Sequence, residues 1–264
     1  VEHDAVAAVP ERCGAVRAHA DQVAGQHLHL GSEHREQGHR PVDSGGHTIA
    51  TYEWGDPGNP LVIFVHGWES NAARWRYFVR ECIKKGWNVV AFDAPAQGGS
   101  SGRQLNLHFF MQALAAVSAN FGAAEAIVGH SLGGAAIIQA LEKTKMPHPK
   151  KAVIIASFEH TTDVFRSFQQ FFGLNERVFD ELKGEVIRIS GHPIEAFSNS
   201  QSAQELGHIR AFFLHDTDDQ TIPVKDGRNN AAAWPGAKIS ETTGHGHRMQ
   251  HSSVVKMVMN FLAE

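Results

Sequence analysis

Five short apolar runs constrain this chain more than any other feature: LVIFV (61–65), NVVAF (88–92), EAIV (125–128), AVIIA (152–156) and RAFFL (210–214). Each has the length and β-branched or aromatic content of a buried strand. Between them lie helical patterns. Trp75, Phe78, Val79, Cys82 and Ile83 are spaced as one helix face, and Leu107, Phe110, Leu114, Val117 and Phe121 as another. A third helix is expected from Gly133 to about Lys143. AKIS (237–240) reads as a further strand, and Val254, Val255, Val258, Phe261 and Leu262 as the inner side of a last helix. Upstream, TIATYEW alternates with period two and stops at the turn-rich GDPGNP. Apolar strands separated by helices imply a mostly parallel sheet covered on both faces, a doubly wound α/β domain.

Two regions break that rhythm. Residues 1–46 are rich in histidine and show no clear strand, although Cys13, Val16, Ala20, Val23, His27 and Leu30 recur at helical spacing. Residues 158–207 lack strands and carry Phe158, Phe165, Phe168, Phe171, Phe172 and Phe179, which reads as a helical insertion. The expected organisation is an N-terminal extension (1–46), a core (47–157 and 208–264) and the insertion between its halves (158–207). With 264 residues, 42% of them apolar, the chain can bury one large core. A net charge of −4 without a basic stripe argues against nucleic acid or anionic membrane as partner, and the apolar runs are too short to span a bilayer. The N-terminal histidines read as a polar arm that packs on the core or on a second subunit, so a homo-oligomer is a further expectation. Two cysteines, Cys13 and Cys82, imply no disulfide framework, and VEHDAVAAVPERCG has no apolar stretch. The expectation is a cytoplasmic protein without a signal peptide.

Chemistry enters at Gly129-His130-Ser131-Leu132-Gly133, a G-x-S-x-G pattern placed between a strand and a helix. Such a turn forces strained backbone on the serine, and only small neighbours fit around it. The following helix leaves unpaired N–H groups near the hydroxyl. A serine alone is a poor nucleophile, so the reading requires a base, an acid to orient it and an oxyanion site elsewhere.

On these residues the chain resembles the α/β-hydrolase fold over roughly residues 47–264, in its serine ester hydrolase, carboxylesterase-like branch. The likeness rests on His66-Gly67-Trp68 after the first core strand, on FDAPAQGGSSG (92–102), on the serine motif and on GHGHR (244–248). It implies a nucleophile at Ser131 and a base at His247, with His245 as the alternative. It places the orienting acid at Asp219 by the frame from His215 to Pro223, with Asp218 as the alternative. The oxyanion donors would be the backbone N–H groups of Trp68 and Leu132. His66, Gly67 and His130 would edge the substrate pocket, and Phe165, Phe168 and Phe172 would face it from a cap formed by the insertion. The loop at 92–102 is given a structural role only.

The implied activity is hydrolysis of short-chain or small acyl or aryl carboxylic esters through an acyl-enzyme, without a cofactor or metal. Neither His27-x-His29 nor His245-x-His247-x-x-x-His251 is joined by carboxylates at metal-ligand spacing. A serine rather than an aspartate at 131 argues against dehalogenase or epoxide hydrolase chemistry. Thioesterase, C–C bond hydrolase and acyltransferase activities use the same triad and remain alternatives. So does a non-catalytic binding protein with this fold.

Overall fold

A computed structural model of the protein describes residues 38–264. The helix and metal-pair readings made for residues before 38, including Cys13, His27 and His29, lie outside them. The chain opens with β1 (Gly38–His39), β2 (Val42–Ser44), β3 (His47–Ile49), β4 (Thr51–Trp54) and β5 (Leu61–Val65). Next come α1 (Arg76–Lys84), β6 (Asn88–Phe92), α2 (Leu107–Phe121), β7 (Ala126–His130), α3 (Leu132–Lys143) and β8 (Lys151–Ile155). Three helices follow, α4 (Thr161–Phe172), α5 (Glu176–Ser190) and α6 (Asn199–Ala203). The chain then returns through β9 (Arg210–Asp216), α7 (Val224–Ala233), β10 (Lys238–Thr242) and α8 (Ser252–Ala263).

Eight strands form one sheet in the order β1-β4-β6-β5-β7-β8-β9-β10. From β6 to β10 every neighbouring pair is parallel, whereas β1 and β4 run antiparallel at one side. The strands β5 to β8 are buried along their whole length, as helices on both faces require. Val62, Phe64, Val128 and Ile155 point towards Trp75, Phe78 and Val258 on the side of α1 and α8. Ile63, Val65, Ile127 and Ile154 point the other way, towards Phe110, Leu114 and Ile137 of α2 and α3. Fully burying one such side chain contributes about 1.5–3 kcal/mol, so these two layers supply the main driving force.

The structure differs from the sequence reading before residue 47, where no strand was expected. It forms β1 there, and β2 pairs with β3 as a hairpin closed by Gly45 and Gly46, both at positive φ. Strands of two and three residues are too short to show a period, and the Gly-Gly pair was the available signal. TIATYEW is also divided at Ala50, so that its first half belongs to the hairpin and its second to the large sheet. The weakly apolar α7 had not been anticipated at all. Among the described residues no helix is long and apolar enough to cross a membrane.

Register aligns the ends of the strands. Val65 lies beside Gly129, His130 beside Ile155, and Thr242 beside Asp216. The turns after β5, β7, β9 and β10 therefore gather at one edge of the sheet, where open α/β sheets place their sites.

Candidate active site

Ser131 sits between β7 and α3 at φ 54° and ψ −122°, a conformation that L residues rarely adopt. Its N–H still donates to Ile155 O, while its own carbonyl already accepts from Gly134 and Ala135 in the helix. One residue must reverse the chain, which stores on the order of 1–3 kcal/mol of strain. The neighbours leave no alternative to glycine. A Cβ on Gly133 would lie 2.1 Å from His66 O and 2.5 Å from Val65 O, and one on Gly129 would lie 2.8 Å from the backbone oxygen of Gly133. Gly134 lets α3 pack onto β8, since a Cβ there would already lie 3.1 Å from Ile154 Cγ2. Ser157 Oγ donates to Ser131 O (2.9 Å) and pins the turn from behind.

The loop after β10 brings His247 to this serine. Its Nε2 lies 3.0 Å from Ser131 Oγ, and its Nδ1 lies 2.8 Å from Asp219 Oδ2. The carboxylate at Nδ1 selects the tautomer with the proton on Nδ1, leaving Nε2 free to accept from the hydroxyl. Asp219 Oδ1 accepts from Thr221 N–H (2.8 Å) and Ile222 N–H (2.9 Å). His215, buried in β9, places Nε2 3.3 Å from Asp219 Oδ2 and 2.9 Å from Ile222 O. Burial alone would raise the Asp219 carboxyl. Hydrogen bonds from His215, His247 and the Ile222 amide outweigh it and hold the group well below the usual carboxylate range.

The alternatives lie elsewhere. Asp218 Oδ2 accepts from Gly244 N–H (2.9 Å), and His245 donates to or accepts from Ser253 Oγ (2.9 Å) while stacking on His251. Asp216 ties the two loops together by accepting from Thr242 Oγ1 (2.7 Å) and from the N–H groups of Asp218 and His245 (3.0 Å each). The histidine group of the C-terminal loop is thereby split, and among the described residues no cluster of three or more His, Cys, Asp or Glu could hold a metal.

The turn after β5 abuts the serine. A Cβ on Gly67 would lie 3.1 Å from Ser131 Cβ and from His130 O. His66 fixes the turn from inside: Nδ1–H donates to Gly67 O (2.7 Å), and Nε2 accepts from Ala94 N–H (2.9 Å). Among the described residues the N–H groups of Trp68 and Leu132 have no hydrogen-bond acceptor. His130 donates from Nε2 to the His247 carbonyl (2.7 Å), and its ring packs 4.9 Å from that of His247. The loop at 92–102 is organised by Asp93, which accepts from Ala72 N–H (2.7 Å), Gly99 N–H (2.8 Å) and Tyr52 OH (2.8 Å).

Two hollows meet along Trp68, Leu132, Phe158, Val164 and Phe168, which line both. A cavity of about 340 Å³ between the core and α4–α5 is lined by Leu107, Phe158, Phe165, Phe168, Phe172 and Val186, among other apolar groups. A cleft of about 500 Å³ holds Ser131 and His247 together with Arg74 and Arg248. Of the remaining insertion phenylalanines, Phe171 is exposed, and Phe179 packs beneath the Arg166 guanidinium (3.8 Å).

Sequence reasoning missed His215, Arg74 and Ser157. His215 was used only as a marker of the frame, yet a histidine ending an apolar strand was a signal for a buried polar contact. Arg74, set between buried Ala72 and Trp75, was another.

Buried histidines also make stability depend on pH. Burial holds His66 and His130 below the ordinary histidine range, and at His130 the positive Arg74 adds to the effect. A lowered folded value means that each contributes its stability above the unfolded value of about 6.5 and loses it as pH falls. Unfolding free energy should therefore decline between pH 7 and pH 5, by up to about 1.4 kcal/mol per pH unit for each histidine. Urea denaturation across this range checks it, and a level stability would contradict two buried neutral rings.

Comparison with known proteins is consistent with this architecture. The family model described as "Alpha/beta hydrolase family" matches residues 62–256. A bifunctional esterase/perhydrolase from Acinetobacter calcoaceticus is 27% identical over 261 residues, covering 80% of this chain and 93% of the relative. A non-heme haloperoxidase from Rhodococcus erythropolis is 23% identical over 252 residues, covering 78% and 91%. Among solved structures, an esterase from Exiguobacterium antarcticum superposes with a TM-score of 0.68 at 12% identity, covering 86% of this chain and 100% of the other. With the family match running from β5 into the final helix of the sheet just described, the chain belongs to the alpha/beta hydrolase family.

Proposed function

We propose that the protein is a serine hydrolase that cleaves carboxylic esters of small acyl or aryl acids through an acyl-enzyme. The observation that carries this reading is the unbroken relay from Ser131 Oγ through His247 to an ionised, buried Asp219. Ser131 Oγ attacks the ester carbonyl carbon while His247 Nε2 takes its proton, and Asp219 stabilises the imidazolium. The carbonyl oxygen becomes an oxyanion beside the N–H groups of Trp68 and Leu132, which have no acceptor to give up. Collapse breaks the bond to the leaving oxygen, which receives the proton from His247. Water, deprotonated by the same nitrogen, then releases the acid and restores Ser131. The apolar cavity sits at the lower end of the usual ligand-pocket range, which favours a small acyl group.

The name of the esterase/perhydrolase relative favours one second reading. Hydrogen peroxide replacing water in the deacylation step would release a peracid instead of an acid.

A fluorophosphonate tests the nucleophile directly. Intact-mass measurement should show one adduct on the wild type and none on Ser131→Ala, and an unlabelled, folded wild type would overturn the proposal. A panel of matched esters, thioesters and amides then ranks the leaving groups, with and without peroxide. Esters should turn over fastest.

A further inference from the structure

The cleft beside the candidate triad contains a positive charge that the protein itself does not neutralise. Arg74 follows the turn after β5 and lines the same cleft as Ser131 and His247. Its Nη2 donates to the carbonyl of Arg248 (3.0 Å), and its guanidinium lies 5.0 Å from the Trp75 ring. Its Nε is buried without any partner. Elsewhere in the chain Arg166, Arg188 and Arg228 each hold a carboxylate within 3.0 Å. Among the described residues neither Arg74 nor Arg248 makes an ion pair, and the exposed Glu69 at the same cleft is not joined to either. Burial and the neighbouring Arg248 push the Arg74 guanidinium down to about 9, the signature of a cation in need of an anion. A buried, uncompensated charge is costly, and an anion that fills the gap gains charge-assisted hydrogen bonds.

The two hollows also assign the two halves of a substrate. His247 must protonate the leaving oxygen, so the leaving group lies on the His247 side of Ser131. That side is the cleft with Arg74 and Arg248, and none of these three residues lines the apolar cavity. The acyl group is left with the cavity, which opens beside the oxyanion donors at Trp68 and Leu132.

We propose that the protein selects esters whose leaving alcohol or phenol carries a carboxylate, bound by Arg74 and Arg248, while a small apolar acyl group occupies the cavity beneath α4 and α5. This rests on the ester hydrolase reading and adds the polarity of its substrate. A purely structural Arg74 would hold the His247 loop through the Arg248 carbonyl. Its loss would slow all esters alike.

The test compares 4-butyryloxybenzoate with its neutral isostere 4-butyryloxybenzamide, and with phenyl hemisuccinate, whose charge is on the acyl side. For the wild type, kcat/KM should favour the benzoate over the benzamide by about ten- to a hundredfold, with the hemisuccinate poorest. Arg74→Gln and, as a surface change with little risk to folding, Arg248→Gln should each shrink the benzoate-to-benzamide ratio, chiefly through KM. A wild-type ratio near one, or a ratio unmoved in both variants, overturns the proposal while ester hydrolysis stands. Calorimetric titration with the product 4-hydroxybenzoate, against 4-hydroxybenzamide, reads the anion site without turnover. Binding that is lost in Arg74→Gln supports the site even if no ester is cleaved, and absence of binding to the wild type overturns it. Failure of all ester turnover together with failed phosphonate labelling sinks the hydrolase reading instead.

Discussion

His247→Ala is expected to lower kcat on a small activated ester by about 10⁴-fold or more, with the fold retained. The size follows from its position: one ring links the Ser131 hydroxyl at 3.0 Å to the Asp219 carboxylate at 2.8 Å. Without it the serine keeps its proton and the leaving oxygen has no donor. The ring is partly exposed, so truncation removes little core packing. His245→Ala is the matched comparison. Its side chain meets Ser253 and stacks on His251, away from Ser131, so turnover near that of the wild type is expected. Steady-state kinetics on both variants decides the matter. The reverse ranking would move the base two residues upstream.

The largest expected loss of stability comes from one added methyl group. In Gly133→Ala the new Cβ would meet His66 O at 2.1 Å and Val65 O at 2.5 Å, both of them backbone atoms that no rotamer change can move. The only relief is to push α3 away from the turn after β5. Overpacking of this kind costs about 3 kcal/mol or more. Gly134→Ala should cost clearly less, because its Cβ meets side-chain atoms of Ser157 and Ile154 at 3.0–3.1 Å. Urea midpoints rank the two. Equal losses would mean that the two turns are not in rigid contact. Since that contact also sets Leu132 against Trp68, Gly133→Ala should depress kcat beyond what its unfolded fraction explains.

What could be read without a structure follows from what leaves a period in the sequence. Buried strands of five residues and helices of nine or more repeat their apolar pattern often enough to be seen, so β5 to β9 and α1 to α3 fall close to the expected positions. β1, β2 and α7 do not: the first two are too short, and α7 (VKDGRNNAAA) hides a narrow apolar stripe among polar residues. At the site, Ser131 was marked by its glycines. The acid was harder to place, because Asp216, Asp218 and Asp219 share one turn, where no period tells inward from outward. The family frame pointed to Asp219 with Asp218 left open beside it, and the fold separates the three, giving Asp219 to His247, Asp216 to Thr242 and Asp218 to Gly244. Arg74 escaped because its significance lies in a missing partner, and sequence does not show which charges go unpaired.

The backbone of Ser131 bears on the choice between a catalyst and a mere binder. Glycine would occupy φ 54° and ψ −122° in comfort, and the strain of on the order of 1–3 kcal/mol would vanish. A protein kept only for holding a ligand would shed that strain by the exchange, offset in part by the freedom glycine adds to the unfolded chain. This chain instead keeps a side chain at that position, and the strained backbone is what presents its hydroxyl to the His247 ring, as the proposed attack on an ester requires.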